Sequence, residues 1–377
     1  MTKYGSGKDF STAAMLKAHL FTTIPEPKGN LTGRVALISG ATSGLGYATA
    51  VHFARLGIET LVWPVRSIKK GEQYAQSLHK EVPTFRGDIK LLELDLNRLA
   101  SVAPFVQNLE KQVDRLDFAV LNAGAARTKY VKSPDGYEET IQINVLATGL
   151  LATLLLPLLG KTATLPQPKS AVPADLKPQL EIVASDVHYW ARNDLLPRSG
   201  NIIDELTSEP FFKKLPYAEM YNISKLLDVF IARKLATTPA AKNIQVTSTN
   251  PGLCKSGLRD DFGAVAAWQV SFLTLSRDTP RSRLPNLCCG SLTLTRFSSR
   301  LINLISWSAE FGTRTFLHAV LEPHPSGSYL SNGVNQPTST YSCSDEGVRF
   351  EDQFFTELVA LYGKVASESK TILSGAA

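Results

Sequence analysis

The run Val35-Ala36-Leu37-Ile38 passes without a break into Ser39-Gly40-Ala41-Thr42-Ser43-Gly44-Leu45-Gly46, and this junction restricts the fold more than any other stretch. Four successive apolar residues suit a strand buried on both faces. From Leu45 to Leu56 the apolar spacing becomes helical. Glycines 40, 44 and 46 fall where strand gives way to helix, and there backbone N–H groups and the helix N-terminus favour a pyrophosphate. A lone glycine motif says little, but strand, G-x-x-x-G-x-G and helix in that order predict a dinucleotide cradle. Its expected contacts are Gly40, Ser43, Gly44, Leu45 and Gly46.

Similar apolar runs recur at Thr60 to Trp63, Ile89 to Leu94, Phe118 to Leu121, Glu181 to Ala184 and Ile244 to Ser248, each separated by enough chain for a helix. A further short strand is expected at Gly327 to Leu330 and a last helix at Asp345 to Tyr362. This alternation predicts an α/β fold, a Rossmann-like doubly wound parallel sheet of about seven strands with helices on both faces. Residues 1–33 read as a lead, helical from Ala13 to Phe21 and broken by Pro25 and Pro27. Residues 34–365 are then one domain, with an irregular lid or insert at about 257–305, and residues 366–377 form a tail.

Ordinary globular composition, 44% hydrophobic and 20% charged, excludes a disordered or fibrous chain. The formal charge of +6 is concentrated in Arg277, Arg281, Arg283, Arg296 and Arg300, opposed in that stretch by Asp278 alone. The rest is nearly balanced and carries no recognition motif, so no nucleic-acid partner is expected. Cysteines 254, 288, 289 and 343 lack metal-ligand spacing, and adjacent Cys288 and Cys289 are poor disulfide partners for each other. No metal is expected, and a reducing, cytoplasmic setting is the simplest reading. The stretch Met1 to Asp9 does not read as a secretory signal. The apolar segment Leu146 to Leu159 is too short to span a bilayer and suits a buried helix, so stable membrane insertion is not expected.

The end of the second strand discriminates between the two nicotinamide cofactors, because a carboxylate there would repel a 2′-phosphate. No acid lies between Thr60 and Gly71; Arg66, Lys69 and Lys70 do, and Arg66 can bond a phosphate through its planar fork. NADP(H) is therefore expected, with Arg66 and Lys70 as contacts, although both lysines also suit a solvated helix start. Asp95, after the third strand, either accepts from an adenine amino group or caps a helix beginning at Asn97. Asn122-Ala123-Gly124 ends the fourth strand at the ligand-binding edge of such sheets, where small residues permit close approach.

Tyr221 and Lys225 are four residues apart, so on a helix their side chains share one face. A tyrosine exchanges protons near neutrality only if its ordinary pKa of about 10 is lowered. A neighbouring ammonium can do this. With the glycine loop, Asp95, Asn122-Ala123-Gly124, Asn144, Ser185, Tyr221 with Lys225, and Pro251-Gly252 in this order, the chain resembles the short-chain dehydrogenase/reductase family over about residues 31–265 and, less closely, 305–362. The glycine spacing is similar to the compact reductase branch, not the extended branch that acts on nucleotide sugars. The segment Ile182 to His188 and the long lead are similar to retinol-dehydrogenase-like members and to reductases of fungal secondary metabolism.

The resemblance implies that Tyr221 protonates a carbonyl oxygen as hydride arrives. Lys225 would lower the Tyr221 pKa and hold the ribose hydroxyls, Ser185 would orient the substrate oxygen, and Asn144 would anchor a proton-relaying water. Tyr221 and Lys225 thus belong to both the catalytic and the cofactor-binding sets, and Ser256 falls where the family carries a threonine bonding the carboxamide. His188 is expected to be structural. Expected partners are a hydrophobic ketone, aldehyde or alcohol, with Phe262, Val265 and Trp268 as apolar lid residues; a homo-oligomer is allowed. The rival reading is an NADP-binding regulatory or scaffold protein with a disrupted lid, against which stand Ser185, Tyr221 and Lys225. Ser271 to Ser299 has neither helical nor alternating period and reads as a segment foreign to the fold in preference to a basic substrate loop.

Overall fold

Strand β1 (Val35–Ser39) is buried along its whole length, as its unbroken apolar run requires. The computed structural model describes residues 7–169, 176–255, 257–258 and 305–375. Around β1 lie β2 (Thr60–Val65), β3 (Asp88–Glu93), β4 (Phe118–Leu121), β5 (Gln179–Val183), β6 (Gln245–Asn250), β7 (Ser328–Ser331) and β8 (Val334–Gln336), in the order β3-β2-β1-β4-β5-β6-β7-β8. Neighbours from β3 to β7 pair in parallel and β8 returns antiparallel to β7. The sheet is thus the doubly wound one expected, with eight strands instead of about seven. The additional strand is an edge hairpin turned by Asn332 and Gly333, both at positive φ (58° and 76°), as a two-residue hairpin turn demands.

Each face carries its own core. On one side the helices Val102–Gln112, Glu139–Thr162, Glu219–Ala236 and Asp345–Val365 bury a leucine-rich layer; on the other, Gly44–Arg55 and Ala309–Leu321 close over Ile38, Trp63, Phe118 and Val183. Helix Glu139–Thr162 contains the apolar segment noted in the sequence. It is long and apolar enough to cross a membrane, yet 83% of its most apolar window is buried inside the protein. Its first part, Gln142–Ala147, is wound as a π-helix, a form that recurs at functional sites.

The lead does not stand apart. Ser11 Oγ caps its helix, Thr12–Phe21, by accepting from Ala14 N. Trp190 Nε1 donates to Phe10 O at 2.6 Å, and His19 Nε2 accepts from Leu253 N at 3.0 Å. The stretch after 366, expected as a tail, contains helix Glu368–Ser374, whose Leu373 joins the leucine-rich core. A buried ion pair ties the Glu219–Ala236 helix to the C-terminal region: Arg233 Nε and Nη2 donate to the two oxygens of Glu351 at 3.1 and 3.0 Å, and Nη2 also donates to Ser342 O at 3.0 Å.

Candidate active site

Strand order reverses between β1 and its neighbour β4, and open α/β sheets bind ligands in the crevice at such a point. The glycine loop follows β1 there. Gly40 and Gly44 have φ of +73° and +49°, which L side chains resist. A Cβ on Gly46 would lie 2.3 Å from Gly40 O and 2.7 Å from Asn122 Nδ2, so only glycine fits. Ser43 precedes helix Gly44–Arg55 and its hydroxyl makes no capping bond; Leu45 is half-buried beside it. Asn122 braces the cradle from β4, its Nδ2 donating to Ser39 O at 3.1 Å, while Ala123 N donates to Ser39 Oγ at 2.9 Å. The loop is therefore preshaped for close backbone approach, which suits a dinucleotide.

Arg66 lies one residue beyond the end of β2, exposed as are Lys69 and Lys70. Ser67 Oγ accepts from Lys70 N at 3.4 Å, and Lys70 Nζ sits 5.8 Å above the Tyr74 ring. Both lysines thus stand on the first turn of a helix, and Arg66 stands free at the strand tip. Asp95 follows β3 by two residues, and its Oδ1 accepts from Asn97 N at 3.1 Å. This is a turn cap rather than a helix cap, because the helical path begins only at Leu99 and the α-helix at Val102. The expected helix start at Asn97 is corrected accordingly.

Ser185 comes two residues after β5 and opens the turn Asp186–Trp190; its Oγ accepts from Val187 N at 3.4 Å. His188 Nδ1 lies 2.8 Å from Ser185 O, and burial holds the imidazole down at about 3, which keeps the ring neutral. Asp186 fixes the same turn from behind. It accepts from Tyr329 OH at 2.8 Å and Ser331 Oγ at 3.3 Å on β7, and its N donates to Asn250 Oδ1 at 3.0 Å on β6. Burial pushes its carboxyl up to about 6 even though these hydrogen bonds favour the charged form.

Tyr221 and Lys225 lie on helix Glu219–Ala236, entered through Ala218 in the left-handed region at φ 63°. Lys225 Nζ is 5.7 Å from the centre of the Tyr221 ring. The same ammonium donates to Val183 O at 2.7 Å and to Asp228 Oδ2 at 2.8 Å, which fastens the helix to the end of β5, two residues before Ser185. Burial pulls Lys225 down, but Asp228 and Tyr221 more than reverse this, so its pKa is raised. Asn144, within the π-helical turn, makes three side-chain hydrogen bonds. Its Oδ1 accepts from Ala125 N at 2.7 Å, and its Nδ2 reaches Ala125 O and Ser224 Oγ, each at 2.9 Å. Its side chain thus locks the β4 loop to the Tyr221 helix.

Of the residues expected from sequence, Gly40 to Gly46, Arg66, Asp95, Asn122 and Ser185 follow the C-terminal ends of the strands, and Asn144, Tyr221 and Lys225 lie on two helices packed beside them. Ser256, Phe262, Val265, Trp268, Cys288, Cys289 and the stretch Ser271 to Ser299 lie outside the described residues. Sequence reading missed Asp186 and Asp228. Each adjoins or shares a helical face with a predicted site residue, a signal available from spacing alone. Among the described residues no cluster of His, Cys, Asp and Glu suits a metal ion.

A cradle at the switch point, with Ser185 and the Tyr221–Lys225 pair gathered about the neighbouring strand ends, defines an oxidoreductase of the dinucleotide-binding α/β class. Residues 34–164 match the family model described as short chain dehydrogenase. The chain is 30% identical over 348 residues to the short chain dehydrogenase/reductase dmxR8 of Cryptosporiopsis sp., covering 91% of this chain and 95% of that protein. It is 31% identical to the short chain dehydrogenase opdN of Penicillium oxalicum, covering 88% and 97%. The solved structure of an NADPH-bound carbonyl reductase from chicken fatty liver shares the fold, with a TM-score of 0.53 at 17% identity, covering 84% of this chain and 98% of that one. The chain belongs to the short-chain dehydrogenase/reductase family, whose members are oxidoreductases using nicotinamide cofactors.

Proposed function

We propose that this chain is an NADP(H)-dependent reductase or dehydrogenase that moves hydride between the nicotinamide and a hydrophobic ketone, aldehyde or alcohol. Its setting in this reading is cytoplasmic and its pathway one of fungal secondary metabolism, such as polyketide tailoring. The observation that carries the proposal is the fastening of Lys225 to Val183 O, which holds the tyrosine–lysine face beside Ser185. Exposed Arg66, with no acid between Thr60 and Gly71, supports NADP(H) over NAD(H). The bound cofactor supplies the hydride. Gly40, Ser43, Gly44, Leu45 and Gly46 would cradle its pyrophosphate; Arg66 and Lys70 would take the 2′-phosphate, Asp95 would accept from the adenine, Asn122 would border the cofactor, Lys225 would hold the ribose hydroxyls, and Ser256 would bond the carboxamide.

Ser185 and Tyr221 donate to the substrate oxygen, which gains negative charge as the carbonyl is reduced, so both donors act most strongly in the transition state. Tyr221 then gives up its proton. Lys225 stabilises the phenolate left behind, and Asn144 holds the floor of the site rigid. The domain limits follow the same reading: one catalytic domain over 34–365, with the lead and the C-terminal helix packed on it.

The test is NADPH oxidation by the purified chain against a panel of hydrophobic ketones and aldehydes, with NADH in parallel. Turnover of at least one carbonyl with NADPH is expected, and Tyr221→Phe should lower kcat by about 100- to 10,000-fold. Turnover that survives this substitution rejects Tyr221 as proton donor.

A further inference from the structure

Lys225 carries a partner that the family resemblance does not supply. Asp228, one helical turn further on, is 1% exposed, and its Oδ2 lies 2.8 Å from Lys225 Nζ. A buried ammonium and carboxylate at this distance act as one unit, and each strongly conditions what the other can do. The other carboxylate oxygen, Oδ1, is buried and has no hydrogen-bond partner among the described residues. Among the described residues, Lys225 is thus the ion-pair partner of Asp228.

Among the described residues, the charged groups on the elements packed around this helix have partners of their own or lie buried. Helix Asp345–Val365 presents the Tyr362 phenol, whose ionisation Asp228 opposes, and Glu351, which is taken by Arg233. The turn after β5 presents neutral His188 and Asp186, the latter bound by Tyr329 and Ser331 of β7. From β5, Glu181 faces Thr249 Oγ1, and from the start of the Glu139–Thr162 helix Glu139 is paired with Arg127.

We propose that Asp228 is a positioning residue that clamps the Lys225 ammonium against Val183 and offsets part of its charge at the Tyr221 phenol. This rests on the reading of Tyr221 and Lys225 as the proton-transfer pair. A bare buried lysine beside Tyr221 would favour the phenolate strongly and leave too little phenol to protonate a substrate oxygen. A carboxylate 2.8 Å from the ammonium and about two helical turns from Tyr221 restores the balance by acting through Lys225. Asp228 itself is pushed up to about 6 by burial, against the pull of Lys225, so the offset is present at neutral pH and fades as the carboxyl protonates in acid.

Residues 221 and 228 are about 10 Å apart along the helix axis, and a unit charge at that distance in a protein-like dielectric moves a titration by about one pH unit. The phenol can be read directly, as the difference in phenolate absorbance between each protein and its Tyr221→Phe counterpart across pH. Asp228→Asn, which keeps an acceptor for Lys225 but removes the charge, is expected to lower the midpoint of Tyr221 ionisation by about one unit. Asp228→Ser should do the same, and Asp228→Glu should restore the original value. An unmoved midpoint in the Asn and Ser variants overturns the proposal. Should neither fold, the unaltered protein decides: the Lys225 ammonium resonance, assigned by its loss in Lys225→Arg, must shift as a neighbouring carboxyl titrates, and a flat response overturns the proposal equally. Absence of NADPH turnover in the unaltered protein rejects the reductase reading instead, and leaves the phenol titration to judge Asp228.

Discussion

Position 46 shows how little room the cofactor cradle leaves. A methyl group there meets Gly40 O at 2.3 Å and Asn122 Nδ2 at 2.7 Å, and a backbone carbonyl cannot swing aside as a flexible side chain would. Gly46→Ala is expected to cost about 1–3 kcal/mol of stability in urea unfolding. It should also weaken NADPH binding, by fluorescence titration, more than 10-fold, about the 1.4 kcal/mol that corresponds to one decade. Such residues were legible because their constraint is local: a strand, three glycines and a helix stand within a dozen positions, and Tyr221 and Lys225 within a single turn. Asp228 was not. An acid three residues from a lysine on a helix ordinarily reads as a solvated pair of small consequence. Packing of its helix against helix Asp345–Val365 and strand β5 turns the same spacing into a buried pair. Asn144 lies between these cases. Its position was visible, but its side chain serves the β4 loop and Ser224, a tertiary role that spacing does not encode.

At the scale of elements, helix Glu139–Thr162 and helix Asp345–Val365 meet at Gly149, where a Cβ would lie 2.3 Å from Tyr362 OH and 3.1 Å from Ile231 Cδ1. Tyr362 is among the largest fully buried side chains, so it has little freedom to retreat. Gly149→Ala should therefore lower the unfolding free energy by about 1–3 kcal/mol, measured by chemical denaturation, despite the better helix propensity of alanine. A variant as stable as the parent would show that this contact relaxes without cost. The central strands could be read from sequence because burial on both faces demands apolar runs. Strand β8 could not, since Val-Asn-Gln on an edge is three residues long and Val334 is half exposed. Helix Glu368–Ser374 escaped for a related reason: seven residues hold too few turns to establish a period, and Leu373 finds its place only against the core of another helix.

The molecule as a whole holds two sets of buried titratable groups whose effects on stability oppose one another. Burial lowers His188 to about 3 and His19 to about 4, so protons bind these rings in the unfolded chain first and stability falls as pH drops below about 6.5. Burial raises Asp186 and Asp228 to about 6, so the folded chain keeps their protons longer and stability falls as pH rises from about 4 to about 6. Asp186→Asn removes one of the second set while leaving an acceptor for Tyr329. Urea titrations between about pH 4 and 6 should then show stability rising with pH more steeply than in the parent; an unchanged slope would mean that Asp186 titrates alike in both states.

Arg233 and Glu351 are separated by more than a hundred residues, yet they meet as a buried bidentate pair between the helix that carries Tyr221 and the end of the chain. During synthesis the amino terminus leaves the ribosome first, so the guanidinium is made well before its carboxylate, while β7, β8 and the turn before Glu351 are still to come. The active-site helix thus becomes electrostatically complete only when translation is nearly over. A polypeptide released early, by a stop that falls after residue 225 and before residue 352, retains both residues of the tyrosine–lysine motif and still lacks the counter-charge that the helix carrying them meets in the complete fold.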